Sequence, residues 1–385
     1  RCVLRGIYIE KMQLYVHIPF CKSKCRYCDF NSYACFDNTT ILRYLNALNK
    51  EIALAGDKYS HAKIDTIYIG GGTPSVLDEN DVKSIADTIK NHFDLSPLTE
   101  WTIECNPESI TESKLKAYRD IGINRISIGV QSLDDRNLKA IGRIHSSAVA
   151  LDKIKLANEY FDNVSCDLII GLSYDDENSV REEVSTLAPL VKHISMYELI
   201  VEDGTPLKGM VERGEIKLPC DDDTQLLFET AMDEAKKWGL ERYEVSNFAK
   251  DGLISKHNFG YWTREEYLGL GAGAYSLVKT ADGSKPLNKE TRFANVKDVN
   301  QYIDYIENSQ KFDDIDRIDV EYLSEKDVRN EKIMLSLRTT RGVESNILTI
   351  PDNLKNFFEE ANGFTRLNAR GMAVMNSLLT EILDI

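Results

Sequence analysis

The sequence predicts an α/β fold: an incomplete, TIM-like (β/α)6 barrel followed by a small, mainly helical C-terminal domain. From residue 12 to about residue 199, short β-rich runs alternate with longer amphipathic segments. Such alternation is typical of a parallel sheet with helices on its outside. The alternating region contains six β/α units. A closed barrel of this kind has eight, so we predict an incomplete barrel. The alternation fades after residue 199, and helical patterns dominate from residue 324.

Each element of this prediction comes from a run with a characteristic pattern. Strands are apolar runs rich in β-branched residues, and helices carry apolar residues at three- and four-residue spacing. The predicted barrel strands are 14–18, 66–69, 101–105, 125–130, 165–170 and 193–198, and the helices between them are 40–55, 79–92, 112–121, 148–160 and 179–190. Beyond the barrel we predict a helix over 221–238, a strand over 243–248, a loop over 257–262, and helices over 325–339, 351–361 and 371–383.

These elements divide the 385 residues into four segments. Residues 1–11 have no clear pattern and are set aside as a cloning remnant or an upstream extension. Residues 12–220 form the partial barrel, and residues 221–310 complete it and carry a histidine-containing loop. Residues 311–385 form the helical C-terminal domain, for which we predict a winged-helix-like arrangement.

Composition limits the classes of partner. A net charge of −15 argues against broad affinity for nucleic acid. No apolar run approaches the roughly 20 residues that span a bilayer, which leaves only peripheral membrane contact open. No secretory signal is visible, so we expect a cytoplasmic protein whose eight cysteines are thiols rather than disulfides.

Three of these cysteines, Cys21, Cys25 and Cys28, follow the first predicted strand within eight residues. Three thiolates suit a 4Fe-4S cluster in which the fourth iron stays open for a substrate-like ligand. The same Cys-x3-Cys-x2-Cys spacing fits a structural zinc site, with His17 as the fourth ligand. The spacing alone leaves both alternatives open.

Polar and glycine residues follow the next strands, where the carboxyl ends of parallel strands build binding sites. Glycines at 70–72 let the backbone approach a ligand closely, and their amides can bind a carboxylate or an amino-acid main chain. Glu104 ends the third strand, where a carboxylate can accept hydrogen bonds from ribose hydroxyls. Gln131, Arg143 and Asp167 each have a surface alternative. As a set at successive strand ends they predict a site for a nucleoside and an amino acid.

The cysteine loop, including Tyr27 before its last thiol, resembles the cluster loop of the radical S-adenosylmethionine (SAM) superfamily. With the 70–75 turn, Gln131-Ser132, and the 142–145 and 257–262 segments, nearly the whole chain after residue 12 resembles the HemN/HemW branch of that superfamily. The resemblance implies that Cys21, Cys25 and Cys28 bind a 4Fe-4S cluster. It implies that SAM is bound by Tyr15, Gly71, Gly72, Thr73, Glu104, Gln131, Arg143 and Asp167, although Tyr15 on its own fits core packing equally well.

Two features favour the HemW side of this branch. Phe30 stands where the oxidase of the branch has a fourth cysteine, and the chain has only a short lead before the cluster strand. HemW-like sequences also contain a His-Asn-x-x-Tyr-Trp element. It is matched by His257, Asn258, Tyr261 and Trp262, which the resemblance implies as haem contacts. Taken without the resemblance, His257 is better read as a hydrogen-bonded loop residue, although an imidazole flanked by aromatic rings can ligate haem iron.

The function implied by this resemblance is that of a haem chaperone. It would bind a 4Fe-4S cluster and SAM, carry haem, and pass it to haem-accepting proteins, respiratory ones among them, with a reductant such as flavodoxin or ferredoxin. The alternative is an oxygen-independent coproporphyrinogen III oxidase, which forms a 5′-deoxyadenosyl radical and decarboxylates propionates. We do not expect that oxidase activity, and whether the chain is an enzyme at all stays open. A zinc-stabilised binding protein without a redox role is the third alternative.

Overall fold

A computed structural model describes residues 11–34, 36–60, 62–279 and 290–383 of the chain. Strands there are built from apolar and β-branched runs, as predicted. In chain order they are β1 (Lys11–Ile18), β2 (Phe20–Cys21), β3 (Tyr33–Ala34), β4 (Lys63–Gly71), β5 (Glu100–Cys105), β6 (Arg125–Gln131), β7 (Val164–Ile170), β8 (His193–Glu198), β9 (Glu241–Arg242), β10 (Asn247–Ala249), β11 (Tyr267–Leu270), β12 (Tyr275–Lys279), β13 (Glu290–Ala294), β14 (Ile318–Leu323), β15 (Val343–Glu344), β16 (Phe358–Ala361) and β17 (Phe364–Leu367).

Most of the barrel helices begin at an Asp, Ser or Thr whose side chain accepts a hydrogen bond from the first turn, as Asp78 does from Asn80 and Asp81. The helices are α1 (Asn38–Lys58), α2 (Glu79–His92), α3 (Glu112–Asp120), α4 (Asp135–Ala140), α5 (Ser147–Asn158), α6 (Glu177–Leu187), α7 (Pro206–Glu212), α8 (Asp221–Lys237), α9 (Lys256–Trp262), α10 (Val299–Asn308), α11 (Glu325–Ser336), α12 (Ala369–Ala373) and α13 (Met375–Ile382). None of the helices in the described ranges combines the length and the apolar character needed to cross a bilayer.

One sheet of twelve strands forms the body of the protein, in the order β14-β13-β12-β11-β1-β4-β5-β6-β7-β8-β10-β9. The strands from β11 to β8 are parallel, and antiparallel strands extend both edges. Each of the six predicted β/α units is present with its ends shifted by a few residues at most, so the incomplete barrel is confirmed. Strand β11 is a further parallel strand that the sequence analysis missed, because its short Tyr-Leu-Gly-Leu run is typical of a turn.

Alternate residues of the barrel strands face either the helices or the barrel interior. On β1, Leu14 is fully buried in the main apolar core that the helices share. Its neighbour Tyr15 points the other way, where its hydroxyl meets His17 and its ring lies beside Tyr68 of β4. The interior of the barrel is therefore lined by polar and aromatic side chains, and it opens at the carboxyl ends of the strands.

Two predictions around residue 250 are wrong, one for a local reason and one for a tertiary reason. Only the last two residues of the strand predicted over 243–248 lie in a strand, β10, because the Arg242 guanidinium donates to the carbonyls of Glu244 and Val245 and bends the chain there. The loop predicted over 257–262 is helix α9. The buried Glu100 carboxylate of β5 accepts the first amides of this helix, those of Lys256 and His257, at 2.9 and 3.1 Å.

The helix predicted over 351–361 is also wrong. This segment is a 3₁₀ turn (Asp352–Phe357) followed by strand β16, which pairs with β17. Asn362 and Gly363 join the two strands with positive φ angles of 54° and 80°. Asn-Gly is the preferred pair for such a two-residue hairpin, so the signal for this hairpin was present in the sequence.

The C-terminal residues build a second apolar core around α11, α13 and the small sheet β15-β17-β16. Ile333, Leu337, Leu354 and Leu379 belong to this core, which is separate from that of the barrel. Strand β14 lies within the segment assigned to the C-terminal domain, yet it pairs with β13 at the edge of the main sheet. The division into four segments stays a prediction.

Candidate functional site: a thiol-lined cavity at the carboxyl ends of the strands

A cavity that is partly open to solvent lies at the carboxyl ends of the barrel strands. The segments after β1, β4, β5 and β6 surround it together with Asp167 of β7, as expected for binding sites in this class of fold. It is lined by ten of the predicted site residues, Cys21, Cys25, Cys28, Gly71, Gly72, Thr73, Glu104, Gln131, Arg143 and Asp167. Residues from six separate stretches of the chain thus meet in one place.

The cysteine loop is closed by short-range hydrogen bonds. The Lys24 ammonium donates to the carbonyls of Phe30 and Ser32, at 3.1 and 2.9 Å, so the loop returns towards its start. The six cysteines of the described ranges are all free thiols. Burial raises the pKa of the Cys21 thiol, and the Thr73 hydroxyl lies 3.5 Å from its sulfur. A metal centre here would have to displace that proton.

The three thiols match the donor set of a 4Fe-4S cluster that has one iron without a protein ligand. Zinc needs four convergent ligands, whereas each thiolate of a 4Fe-4S cluster binds a different iron. The ring nitrogens of His17 are hydrogen-bonded to the Tyr15 hydroxyl and the Asn31 carbonyl, each at 2.9 Å, so ligation of zinc by His17 would require one of these bonds to break.

The glycine turn after β4 packs directly on the exit of β1. Gly71 has a φ of 113°, and a Cβ there would lie 2.4 Å from the His17 ring. The amides of Gly72 and Thr73 donate to the carbonyls of Ile18 and Phe20, each at 2.8 Å. The Gly71 amide donates to Glu104 at 3.0 Å. These amides are therefore occupied and do not form a carboxylate-binding nest, which leaves carbonyl oxygens as possible partners for an amino group.

Glu104 is the most strongly held acid of the cavity. One carboxylate oxygen accepts the Tyr68 hydroxyl at 2.7 Å, and the other accepts the Gly71 amide. Burial raises the pKa of Glu104 to about 7, with the charge of Asp167 adding to the effect. Burial likewise raises the pKa of Asp167, whose carboxylate accepts the Ser127 hydroxyl at 3.4 Å. Glu104, whose pKa lies near neutrality, and the buried Asp167 beside it are together suited to bind a cationic, hydroxyl-bearing ligand.

Arg143 connects the far wall of the cavity to the thiols. Its guanidinium donates to the Gly129 carbonyl at 2.6 Å and to Asn106 at 2.8 Å, and it lies 3.5 Å from the Cys25 sulfur. Beside it, Gln131 ends β6 with a φ of 71°, a conformation that side chains rarely adopt and that is enriched at functional sites.

Asn106 is a cavity residue that the sequence analysis missed. Its amide nitrogen donates to the Thr73 hydroxyl at 3.0 Å, and its oxygen accepts from Arg143. It therefore joins the glycine turn to the arginine. Its position directly after the third barrel strand was the available signal, the same one that identified Glu104.

The remaining predicted residues do not line this cavity. Tyr15 lies inside the barrel behind it, between His17 and Tyr68. His257 is fully buried, with Nδ1 and Nε2 each 2.9 Å from the hydroxyls of Thr66 and Tyr261. Burial lowers the pKa of His257 to about 3, so its imidazole is neutral. Asn258 and Trp262 are half-buried on the same helix.

Known proteins resemble this chain over most of its length. Residues 15–187 match the sequence model of the radical SAM superfamily. The chain is 36% identical over 333 residues to the heme chaperone HemW of Bacillus subtilis, and the matched region covers 86% of this chain and 84% of that protein. It is 34% identical over 337 residues to the heme chaperone HemW of Mycobacterium tuberculosis, with 86% and 82% covered.

A solved structure has a closely similar backbone. The coproporphyrinogen III oxidase (HemN) of Escherichia coli, described as a radical SAM enzyme, superimposes with a TM-score of 0.80 over 97% of this chain and 90% of that chain. The two sequences are 20% identical. At that level the likeness shows a common fold and nothing about a common substrate.

Proposed function

Because the chain belongs to the HemW family of radical SAM proteins, we propose that it is a haem chaperone. In this proposal it holds a 4Fe-4S cluster and SAM, binds haem, and transfers the haem to acceptor haemoproteins. The main support is the single cavity in which three free thiols meet the glycine turn, two buried acids and an arginine.

The proposed roles follow from these positions. Cys21, Cys25 and Cys28 ligate the cluster, which together with SAM supplies reductive cleavage of a carbon–sulfur bond. Glu104 accepts ribose hydroxyls, and the carbonyls of the glycine turn accept the amino group. Arg143 carries a charge that suits the carboxylate of SAM, and it is held in place by Asn106 and Gly129. The residues proposed to bind SAM are Tyr15, Gly71, Gly72, Thr73, Glu104, Gln131, Arg143 and Asp167.

We propose that haem is bound through helix α9, with His257 as the iron ligand and Asn258, Tyr261 and Trp262 as further contacts. Both ring nitrogens of His257 are hydrogen-bonded here, and an iron ligand needs one of them free. Ligation therefore requires the start of α9 to move away from the barrel. The conformation described here, with His257 buried and hydrogen-bonded, is therefore the closed form of the proposed haem site.

The wider context of the proposal follows from the chemistry. A reductant such as flavodoxin or ferredoxin would supply the electron for the cluster, and haem-accepting proteins, respiratory ones among them, would receive the haem. The free thiols suit the reducing conditions of the cytoplasm, where we propose that the protein works.

Anaerobic haem titration of cluster-loaded protein tests the haem site. We expect His257→Ala to weaken haem binding at least about tenfold, which is the loss of roughly 1.4 kcal/mol, and to leave the cluster absorbance intact. His92→Ala, on the surface at the end of α2, is the matched control and should bind haem as the wild type does. Unchanged haem spectra in His257→Ala would overturn this assignment.

The alternative is an oxygen-independent coproporphyrinogen III oxidase, which the backbone likeness to HemN brings into consideration. Phe30 stands where that oxidase carries a fourth cysteine, and its side chain is 68% exposed at the rim of the cavity. Incubation of the reduced, cluster-loaded protein with SAM and coproporphyrinogen decides between the two. Stoichiometric protoporphyrinogen would replace the chaperone proposal with the oxidase.

A further inference from the structure

Tyr68 of β4 stands between the SAM cavity and helix α9 and contacts both. Its hydroxyl donates to Glu104 at 2.7 Å, on the cavity side. Its ring lies against the imidazole of His257 on the other side, with 5.2 Å between the ring centres and 29° between the planes. The residue proposed to hold ribose and the residue proposed to ligate haem iron thus share one neighbour.

The contact on the cavity side leaves little room for movement. A Cβ at Gly70 would lie 2.8 Å from Cε1 of Tyr68 and 3.0 Å from a carboxylate oxygen of Glu104, so only glycine fits between the two side chains and the strand. Glu104 is fixed from its other side by the Gly71 amide. A shift of the Tyr68 ring therefore displaces Glu104 or breaks the hydrogen bond between them.

The contact on the helix side depends on the closed form of α9. His257 is held by Thr66 and Tyr261 through its ring and by Glu100 through its amide, while its carbonyl accepts from Gln13 at 3.1 Å. When the imidazole leaves to bind iron, one face of the Tyr68 ring loses its packing. The loss of these contacts removes dispersion energy that stabilises the present position of the ring.

We propose that Tyr68 is a positioning residue that couples the two sites, so that SAM bound at Glu104 and haem bound at His257 oppose each other. This inference rests on the proposed function. SAM fixes Glu104 and, through Tyr68, stabilises the closed form of α9, whereas haem ligation requires the open form. Coupling of binding is reciprocal, so each ligand weakens the other by the same factor.

The first test uses the wild-type, cluster-loaded protein and measures haem affinity with and without saturating SAM. We expect SAM to weaken haem binding about tenfold, within the range usual for coupled sites. Haem should weaken SAM binding by the same factor. Equal haem affinities in the two conditions would overturn the inference, while haem binding itself and its loss in His257→Ala would still support the proposed function.

Tyr68→Phe tests the route of the coupling. This variant keeps the ring against His257 and removes the hydrogen bond to Glu104, so we expect SAM to change haem affinity by less than about twofold. Tyr160→Phe is the matched control, because it removes a phenol–carboxylate hydrogen bond of the same length, 2.7 Å to Glu112, away from both sites. Persistence of the full coupling in Tyr68→Phe, or its loss in Tyr160→Phe, would contradict the role of Tyr68.

Thr66→Val is a second variant whose expected effect cannot come from misfolding. It removes the partner of His257 Nδ1 and so destabilises the closed form alone. We expect haem to bind about three- to tenfold more tightly, because a larger fraction of the protein is open. Unchanged or weaker haem binding in this variant, with the cluster present, would overturn the proposed closed and open forms of α9.

Discussion

The thiol-lined cavity and helix α9 border the same barrel interior, and both depend on distant partners, but only the cavity is made of short motifs that the sequence shows. The cavity is built from turns that directly follow strands, such as the glycine turn, whose amides bond to Ile18 and Phe20 at the exit of the neighbouring strand. Helix α9 depends on distant partners, because His257 bonds to Thr66 and Glu100, which lie 191 and 157 positions away in the chain. The residues of a site made of short motifs can be predicted from the sequence. The structure of helix α9 cannot, because it depends on the residues that surround it.

The largest expected effect is the loss of the cluster from the cavity, with helix α9 unaffected. Cys25→Ala should abolish the broad brown absorbance of the reconstituted protein and reduce its iron content from about four per chain to near zero. Cys220→Ala is the control, because Cys220 is exposed and outside the cavity. Iron and sulfide analysis after anaerobic reconstitution measures both. One zinc per chain with little iron in the wild type would restore the zinc alternative.

The next effect concerns helix α9 and appears as pH dependence. Burial lowers the pKa of His257 to about 3, whereas a histidine in the unfolded chain binds a proton below about pH 6.5. The unfolded state therefore binds more protons in this window. The contribution of His257 to the free energy of unfolding is complete above about pH 6.5 and decreases as the pH falls towards 3, by on the order of 5 kcal/mol.

Urea unfolding at several pH values measures this contribution. His257→Gln keeps a hydrogen-bonding side chain but cannot be protonated, so its stability should fall less steeply as the pH is lowered. Identical pH slopes in the variant and the wild type would show that His257 is not the buried neutral imidazole described here.

A smaller effect concerns the cavity and the close packing of its glycine turn. Gly71→Ala should lower the free energy of unfolding by about 2–4 kcal/mol, because a positive φ and overlap with the His17 ring both penalise the new methyl group. Gly239→Ala is the matched control. Gly239 also has a positive φ, 75°, but nothing lies within 4 Å of the added Cβ, so only the backbone cost of about 1–2 kcal/mol remains. Equal losses in the two variants would argue against close packing at Gly71.

The smallest expected effect is on SAM binding. The pKa of Glu104 is about 7 without ligand, and a cationic ligand with hydroxyl donors favours the ionised carboxylate. SAM affinity should therefore rise with pH up to about 7, by at most about tenfold per pH unit, and level off above it. Glu104→Gln should bind SAM more weakly and lose this dependence.

Equilibrium dialysis of cluster-loaded protein at about pH 6 and about pH 8 provides the measurement. Glu244→Gln is a suitable control, because burial also raises the pKa of Glu244 to about 7 although it does not line the cavity. A pH dependence that survives in Glu104→Gln would assign the titration to another group.

The errors of the sequence analysis lie where distant residues decide the structure. Helix α9 was predicted as a loop because its amide partner is Glu100 on another strand. Asn106 has the same strand-end signal as Glu104, but its role depends on where Arg143 folds back to meet it. The hairpin at Asn362 and Gly363 is a different kind of miss, since its signal was local and was outweighed by the helical pattern around it.

The sequence by itself determined the order of strands and helices in the six β/α units, the thiols, and the residues at the strand ends. These features depend on side-chain periodicity and on turns a few residues long, which any chain shows without its fold. Only the tertiary structure decided that ten of these residues face one cavity, that His17 has no free nitrogen, and that His257 lies inside the barrel with Tyr68 against it. Burial and the partners of a polar group are properties of the packed molecule, so they are settled only when the strands close around them.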